Sequence, residues 1–266
     1  MTLQDRMIGK HPNQGIFYKW TDCRDTECTI TKRHRGLTAK DEFCKEAVQS
    51  IAEWLVAYHL SEAKKSFLKQ KILAKYNLKD YVQSLHVFPR TDKTKKGNFG
   101  EVVLSEYLSQ TSGIKVLIYK LRYNPNVDQS MKGDDVLLVD KDKILLGESK
   151  FRSNPNKEAV EAACELMGNA LTLPISLGFI ADRLFEQGQS ELAEQILNTQ
   201  LKLSKTNFNI KNVGFILSKK TIFDIAENNM NSPNENFILI SLGIDDPVSF
   251  MEMAFAKAKE LILGTN

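Results

Sequence analysis

Three features of the 266-residue sequence predict an α/β fold, strands and helices in alternation, preceded by a mainly helical N-terminal extension. Four apolar runs of strand length, Asp134–Val139, Ile144–Phe151, Val213–Leu217 and Phe237–Leu242, alternate with segments of helical period. Before residue 90 the apolar residues recur at the three-and-four spacing of amphipathic helices. Between the two textures lies a polar, basic stretch, Arg90–Lys96, that reads as a linker. The expected division is therefore residues 1–85, mainly helical, and residues 86–266, the sheet-bearing domain.

Lys40–His59 carries Phe43, Ala47, Val48, Ile51, Trp54, Leu55 and Tyr58 on one helical face. Ser61 is placed to cap a second helix to Tyr76, whose stripe is Phe67, Leu68, Ile72 and Leu73 and whose remaining surface is rich in lysine. After Gly97 a helix is expected from Asn98 to Gln110, then a strand, Lys115–Tyr123, and a polar loop containing Pro125. The two strands around Asp140–Lys143 follow. Helices are expected at Lys157–Leu171, stopping before Pro174, at Glu191–Leu203, and at Val248–Leu263 after the last two strands.

Composition narrows the class. No run approaches the roughly 20 apolar residues of a membrane-spanning helix, and the start Met1–Arg6 has neither a basic nor an apolar leader region. A soluble, cytoplasmic protein is expected, in which four cysteines stay reduced. Cys23, Cys28, His34 and Cys44 lack the tight pair spacing of structural zinc, and Cys164, among alanines, reads as core. With 36 Lys+Arg against 33 Asp+Glu, net charge alone does not announce a nucleic-acid binder. Position matters more: Lys32, Arg33 and Arg35, the lysines after Ser61, and Arg90–Lys96 form three basic clusters.

The segment Gly133–Lys150 carries the chemistry. Its two apolar runs flank a four-residue polar turn, as in an antiparallel hairpin. A turn centred between Lys141 and Asp142 pairs Val139 with Ile144, Leu137 with Leu146 and Asp135 with Glu148, and puts Lys150 on the face of Glu148. Asp134 would point away, although a slip of one residue would exchange the two aspartates. Paired carboxylates repel unless a cation lies between them. Oxygen ligands suit Mg²⁺ or Mn²⁺, so Asp135, Glu148 and the Ser149 carbonyl are the candidate metal ligands, with Lys150 to orient water or neutralise phosphate.

A carboxylate, a hairpin and then Glu148-Ser149-Lys150 resemble the PD-(D/E)xK nuclease superfamily, with Gly133-Asp134 standing where the name-giving motif has Pro. The resemblance implies a restriction-endonuclease-like core, a central mixed sheet flanked by helices, and a further glutamate on the preceding helix. Glu101, in Gly97-Asn-Phe-Gly-Glu101, matches it, as a catalytic residue and additional metal ligand. More narrowly, Lys93–Glu101, Gly133–Asp135 and Glu148–Lys150 are similar to the HamA family of effectors in the Hachiman anti-phage system. That likeness implies a largely sequence-nonspecific, Mg²⁺-dependent deoxyribonuclease. Its implied partner is a superfamily 2 helicase, HamB-like, in a heterodimer; residues 1–85, because they lie outside the minimal nuclease core, are the expected part of the partner surface.

Lys93, Lys95, Lys96, Lys132 and Arg152 are the expected phosphate contacts on DNA, and Arg122 also flanks the site. Glu158, Glu161 and Glu165 share one helix face and read as solvated. The alternatives are a catalytically silent DNA-binding or scaffold subunit and a restriction or repair nuclease with its own specificity.

Overall fold

The computed structural model describes residues 1–76, 86–203 and 209–264. The chain begins with α1 (Leu3–Ile8) and α2 (Gly15–Trp20), then β1 (Thr21–Asp25) and β2 (His34–Ala39). A 3₁₀ turn leads into α3 (Cys44–His59). There follow α4 (Glu62–Phe67), continued by a π turn (Leu68–Leu73) into α5 (Ala74–Tyr76), and the long α6 (Asp92–Ser112). A 3₁₀ turn at Lys120–Tyr123 precedes the hairpin β3 (Val136–Val139) and β4 (Lys143–Phe151). Then come α7 (Lys157–Gly168), α8 (Leu177–Glu186), α9 (Ser190–Leu203), β5 (Asn209–Ser218), α10 (Ile222–Asn229), β6 (Phe237–Gly243) and α11 (Pro247–Leu263).

The six strands form one mixed sheet in the order β1-β2-β6-β5-β4-β3. β2, β6, β5 and β4 run parallel to their neighbours, and β1 and β3 close the two edges antiparallel. Parallel strands buried on both faces need near-continuous apolar sequence, which is why Val213–Leu217 and Phe237–Leu242 read as unbroken runs. Val213, Phe215, Leu217, Ile238, Ile240 and Leu242 pack against α3, α6 and α11. Ile216, Phe237 and Leu239 pack against α7 and α10, and Ile144 and Ile210 against α8 and α9. The result is a helix–sheet–helix sandwich.

Several expectations change. Arg90–Lys96 is only briefly a linker, because Thr91 accepts from the Thr94 amide at 3.3 Å and α6 starts at Asp92. Lys115–Tyr123 is no strand. It pairs with no neighbour; Val116 packs on the main core while Leu117 and Ile118 pack on the α8–α9 cluster, so its apolar residues reflect burial alone. The helical N-terminal region also supplies β1 and β2, which the apolar pattern had not revealed. The expected boundary after residue 85 falls at the end of 77–85, outside the described residues.

Candidate active site

α6 brings Glu101 inward because the helix is buried nearly all round, with Phe99, Val102, Val103, Leu104 and Leu108 at 1% exposure or less. Gly100 lets it press against β4: a Cβ there would lie 2.1 Å from Ser149 Oγ. Gly97, the other small residue of this segment, faces open space.

The hairpin has the register expected from its turn. Val136 pairs with Gly147, Leu137 with Leu146 and Val139 with Ile144. The same register places Asp135, just before β3, opposite Glu148. Leu145, Ser149 and Phe151 face α6, and alternation turns Leu146, Glu148 and Lys150 to the opposite side. Lys150 Nζ donates to Glu148 Oε1 at 2.5 Å, and the Ser149 amide donates to Asp135 Oδ2 at 3.0 Å. Since the amide and carbonyl of one strand residue point to the same edge, the Ser149 carbonyl also turns toward the edge that β3 leaves open before Val136.

The two aspartates separate cleanly. Asp134 Oδ2 accepts from the Ile175 and Ser176 amides, each at 2.9 Å, and the Asp134 amide donates to Ser176 Oγ at 2.9 Å. That carboxylate is committed to the start of α8. Asp135 lines a cavity of about 30 Å³ together with Glu101, Lys120 and Asp134, but its carboxylate accepts from β4, at the Ser149 amide, rather than from α8. Lys120, which no sequence motif contains, stands 3.3 Å from Glu101 Oε2 and donates to the Asp134 carbonyl at 2.5 Å.

Electrostatics follow from this crowding. Burial pushes the Glu101 carboxyl up to about 8; Lys120 opposes the shift, and Asp135 and Glu148 add to it. Glu148 is raised as well, first by burial and then by Asp135, against the pull of Lys150 and Lys120. Carboxylates that raise one another in this way are relieved by a cation. Among the described residues no three His, Cys, Asp or Glu side chains converge as a finished metal cage. Two carboxylates and a backbone carbonyl nevertheless suit Mg²⁺ or Mn²⁺ by donor chemistry, because such ions keep several water and phosphate ligands.

The basic clusters are reduced by partners. Arg33 is 3% exposed and donates to the carbonyls of Ile30, Ser232, Asn234 and Phe237. Arg35 is 1% exposed and binds Asp5 and Asp25. Neither can meet phosphate. Lys95 pairs with Glu252 at 2.8 Å, Lys96 with Asp92 at 2.9 Å, and Arg90 with Asp128. Lys93, Lys132 and Arg152 are exposed. Glu158, Glu161 and Glu165 are exposed too, with Glu161 paired to Lys157 at 3.0 Å.

A mixed sheet between helical layers, with this hairpin at one edge and α6 behind it, is a restriction-endonuclease-like α/β core. The HamA family model matches residues 15–258. A Bacillus cereus protein named Hachiman protein HamA is 59% identical over 265 residues, covering 99% of this chain and 98% of that relative. The chain belongs to the HamA family. No helix among the described residues is long and apolar enough to cross a membrane.

Proposed function

We propose that the protein acts in anti-phage defence as the Hachiman effector, a Mg²⁺- or Mn²⁺-dependent, largely sequence-nonspecific deoxyribonuclease controlled by a superfamily 2 helicase partner. The observation that carries the reading is the hairpin register, which sets Asp135 opposite Glu148 with Lys150 bonded to Glu148 and Glu101 beside Asp135. Asp135, Glu148 and the Ser149 carbonyl would hold the cation, with Glu101 as a further donor. When bound, the cation supplies Lewis-acid polarisation and charge neutralisation at a phosphate. Lys150 places an ammonium where negative charge develops on the phosphoryl oxygens. Glu101, kept from bulk water by burial, is suited to orient the attacking water or take its proton. Lys93, Lys132 and Arg152 are the exposed cations left to meet the DNA backbone.

Plasmid degradation by the full chain, alone and with its helicase, with Mg²⁺ or Mn²⁺, tests this against Glu148→Ala and Lys150→Ala. Metal-dependent DNA loss from wild type alone is expected. Equal loss from all three would overturn the catalytic assignment, and no loss from any, even with helicase and damaged or phage DNA present, would favour a silent scaffold subunit. The helices of residues 1–85 are the proposed helicase-facing surface. Because β1 and β2 belong to the sheet, substitutions on those helices, rather than deletion, test that part: undiminished co-purification of the helicase would refute it.

A further inference from the structure

We propose that Lys120 is a positioning residue of this site, tying the Glu101 carboxylate on α6 to the backbone that leads into β3 and presents Asp135; the inference rests on the reading of the site as a cation-dependent phosphodiester centre. Its Nζ spans the two elements, 3.3 Å from Glu101 Oε2 and 2.5 Å from the Asp134 carbonyl. The ion pair is sheltered, with side chains 14% and 9% exposed. Both ends are braced. The 3₁₀ turn that begins at Lys120 is fixed to α3 by the Arg122 Nε bond to the Ala57 carbonyl at 2.8 Å. The Tyr119 ring reinforces it, lying 4.5 Å, centroid to centroid, from that of Tyr58. Asp134 is fixed on the far side by the Ile175 and Ser176 amides. A Lys–carboxylate–carbonyl clamp between two anchored elements sets the separation of Glu101 and Asp135, and a neutral side chain of equal length would fill the space without making either bond.

Calorimetric titration of the metal-free full chain with Mn²⁺ tests this on wild type, Lys120→Met, Lys120→Arg, Glu101→Gln, the Glu101→Gln/Lys120→Met double variant and Glu148→Ala, with kcat and KM for plasmid DNA alongside. Removing a positive charge from beside carboxylates should by itself tighten cation binding, so weakened binding marks displaced ligands. Lys120→Met is expected to bind Mn²⁺ about tenfold more weakly and to lose kcat with KM held, while Lys120→Arg stays within about threefold of wild type. The double variant should be no weaker than the worse single one, because the two residues act through one contact. Unchanged or tighter binding by Lys120→Met overturns the proposal. So does a Lys120→Arg as weak as Lys120→Met, which would make side-chain bulk the requirement. If Lys120→Met does not fold, Lys120→Leu, which likewise has no donor for either bond, replaces it under the same criteria. Wild type that neither binds Mn²⁺ nor differs from Glu148→Ala overturns the metal-site reading and this inference with it. A Mn²⁺ site lost in Glu148→Ala and intact in Lys120→Met overturns the role of Lys120 alone.

Discussion

Ser149 Oγ fills the place of the side chain that Gly100 lacks: a methyl group at residue 100 would lie 2.1 Å from that oxygen and 3.4 Å from the Ser149 Cβ. The contact sets the distance between α6 and β4 at the one point where Glu101 follows on the helix and Glu148 and Lys150 flank the contact on the strand.

Substitution at Gly100 should therefore reach the site in proportion to size. Ser149 Oγ is buried without a hydrogen-bond partner, so in Gly100→Ala it can rotate away at little cost. Alanine's better helix propensity, worth about 1 kcal/mol, offsets part of the crowding. The melting temperature should stay within about 4 °C of wild type and Mn²⁺ binding should persist. Gly100→Val cannot be accommodated by one rotamer change and should push α6 off β4, lowering Mn²⁺ affinity at least about tenfold. Valine binding Mn²⁺ as well as alanine does would show that this spacing is not what holds the site.

Asp134 and Asp135 should respond oppositely to loss of charge. Asp134→Ala leaves the Ile175 and Ser176 amides without their carboxylate and should destabilise the fold by about 1–3 kcal/mol while sparing Mn²⁺ affinity. Asp135→Asn removes a carboxylate that raises both Glu101 and Glu148, so it should be neutral or stabilising without metal and should abolish Mn²⁺ binding. Urea unfolding in EDTA, paired with Mn²⁺ titration, separates them; the reverse pattern would assign the site to Asp134.

This pair shows what the sequence could carry. The turn Asp140–Lys143 fixed the pairing sum, and with it the face of Asp135, because strand alternation leaves no freedom once the register is known. Glu101 was legible through the family resemblance, as the glutamate expected on the helix before the hairpin, and that helix does bury it. Lys120 was not: its role depends on a long loop bringing it against Glu101, which no local spacing encodes. β1 and β2 were hidden for a related reason. Thr21–Asp25 and His34–Ala39 carry few large apolar residues and are held partly by buried arginines. Arg33 and Arg35 looked like a basic surface patch because charge in sequence does not reveal its partners.

Arg35 should accordingly behave as a structural residue. Its guanidinium forks onto both oxygens of Asp25, at 2.6 and 2.9 Å, and also reaches Asp5 and the Gly9 carbonyl, each at 2.8 Å. Arg35→Met strands two carboxylates that are each only 15% exposed. Breaking a buried pair of this kind costs about 3–5 kcal/mol, which for a chain of this size lowers the melting temperature by roughly 10 °C. Scanning calorimetry checks it. A loss within about 2 °C would show that this buried network contributes little to holding β1 and β2.

Acid should destabilise the fold through its buried histidines. His59 Nδ1 lies 2.8 Å from the Leu55 carbonyl and Nε2 lies 3.1 Å from Asn98 Nδ2, a set that the neutral ring satisfies. His34 Nε2 meets Ser241 Oγ at 2.8 Å. Burial depresses both to about 4. Because the unfolded histidines bind protons near pH 6.5 while the folded ones resist until about 4, stability is lost as pH falls through that window, by about 2 kcal/mol per histidine between pH 7 and pH 5. Glu101 works the other way, since its raised value makes the acid form the stable one in the fold and stability grows as pH falls. The histidine contribution is therefore read in Glu101→Gln, in EDTA, by urea unfolding at pH 7 and pH 5. That variant should lose more stability on acidification than wild type, and adding His59→Gln should remove about half of its loss. An acid-induced loss that is the same with and without His59→Gln would mean that the fold does not hold that ring neutral.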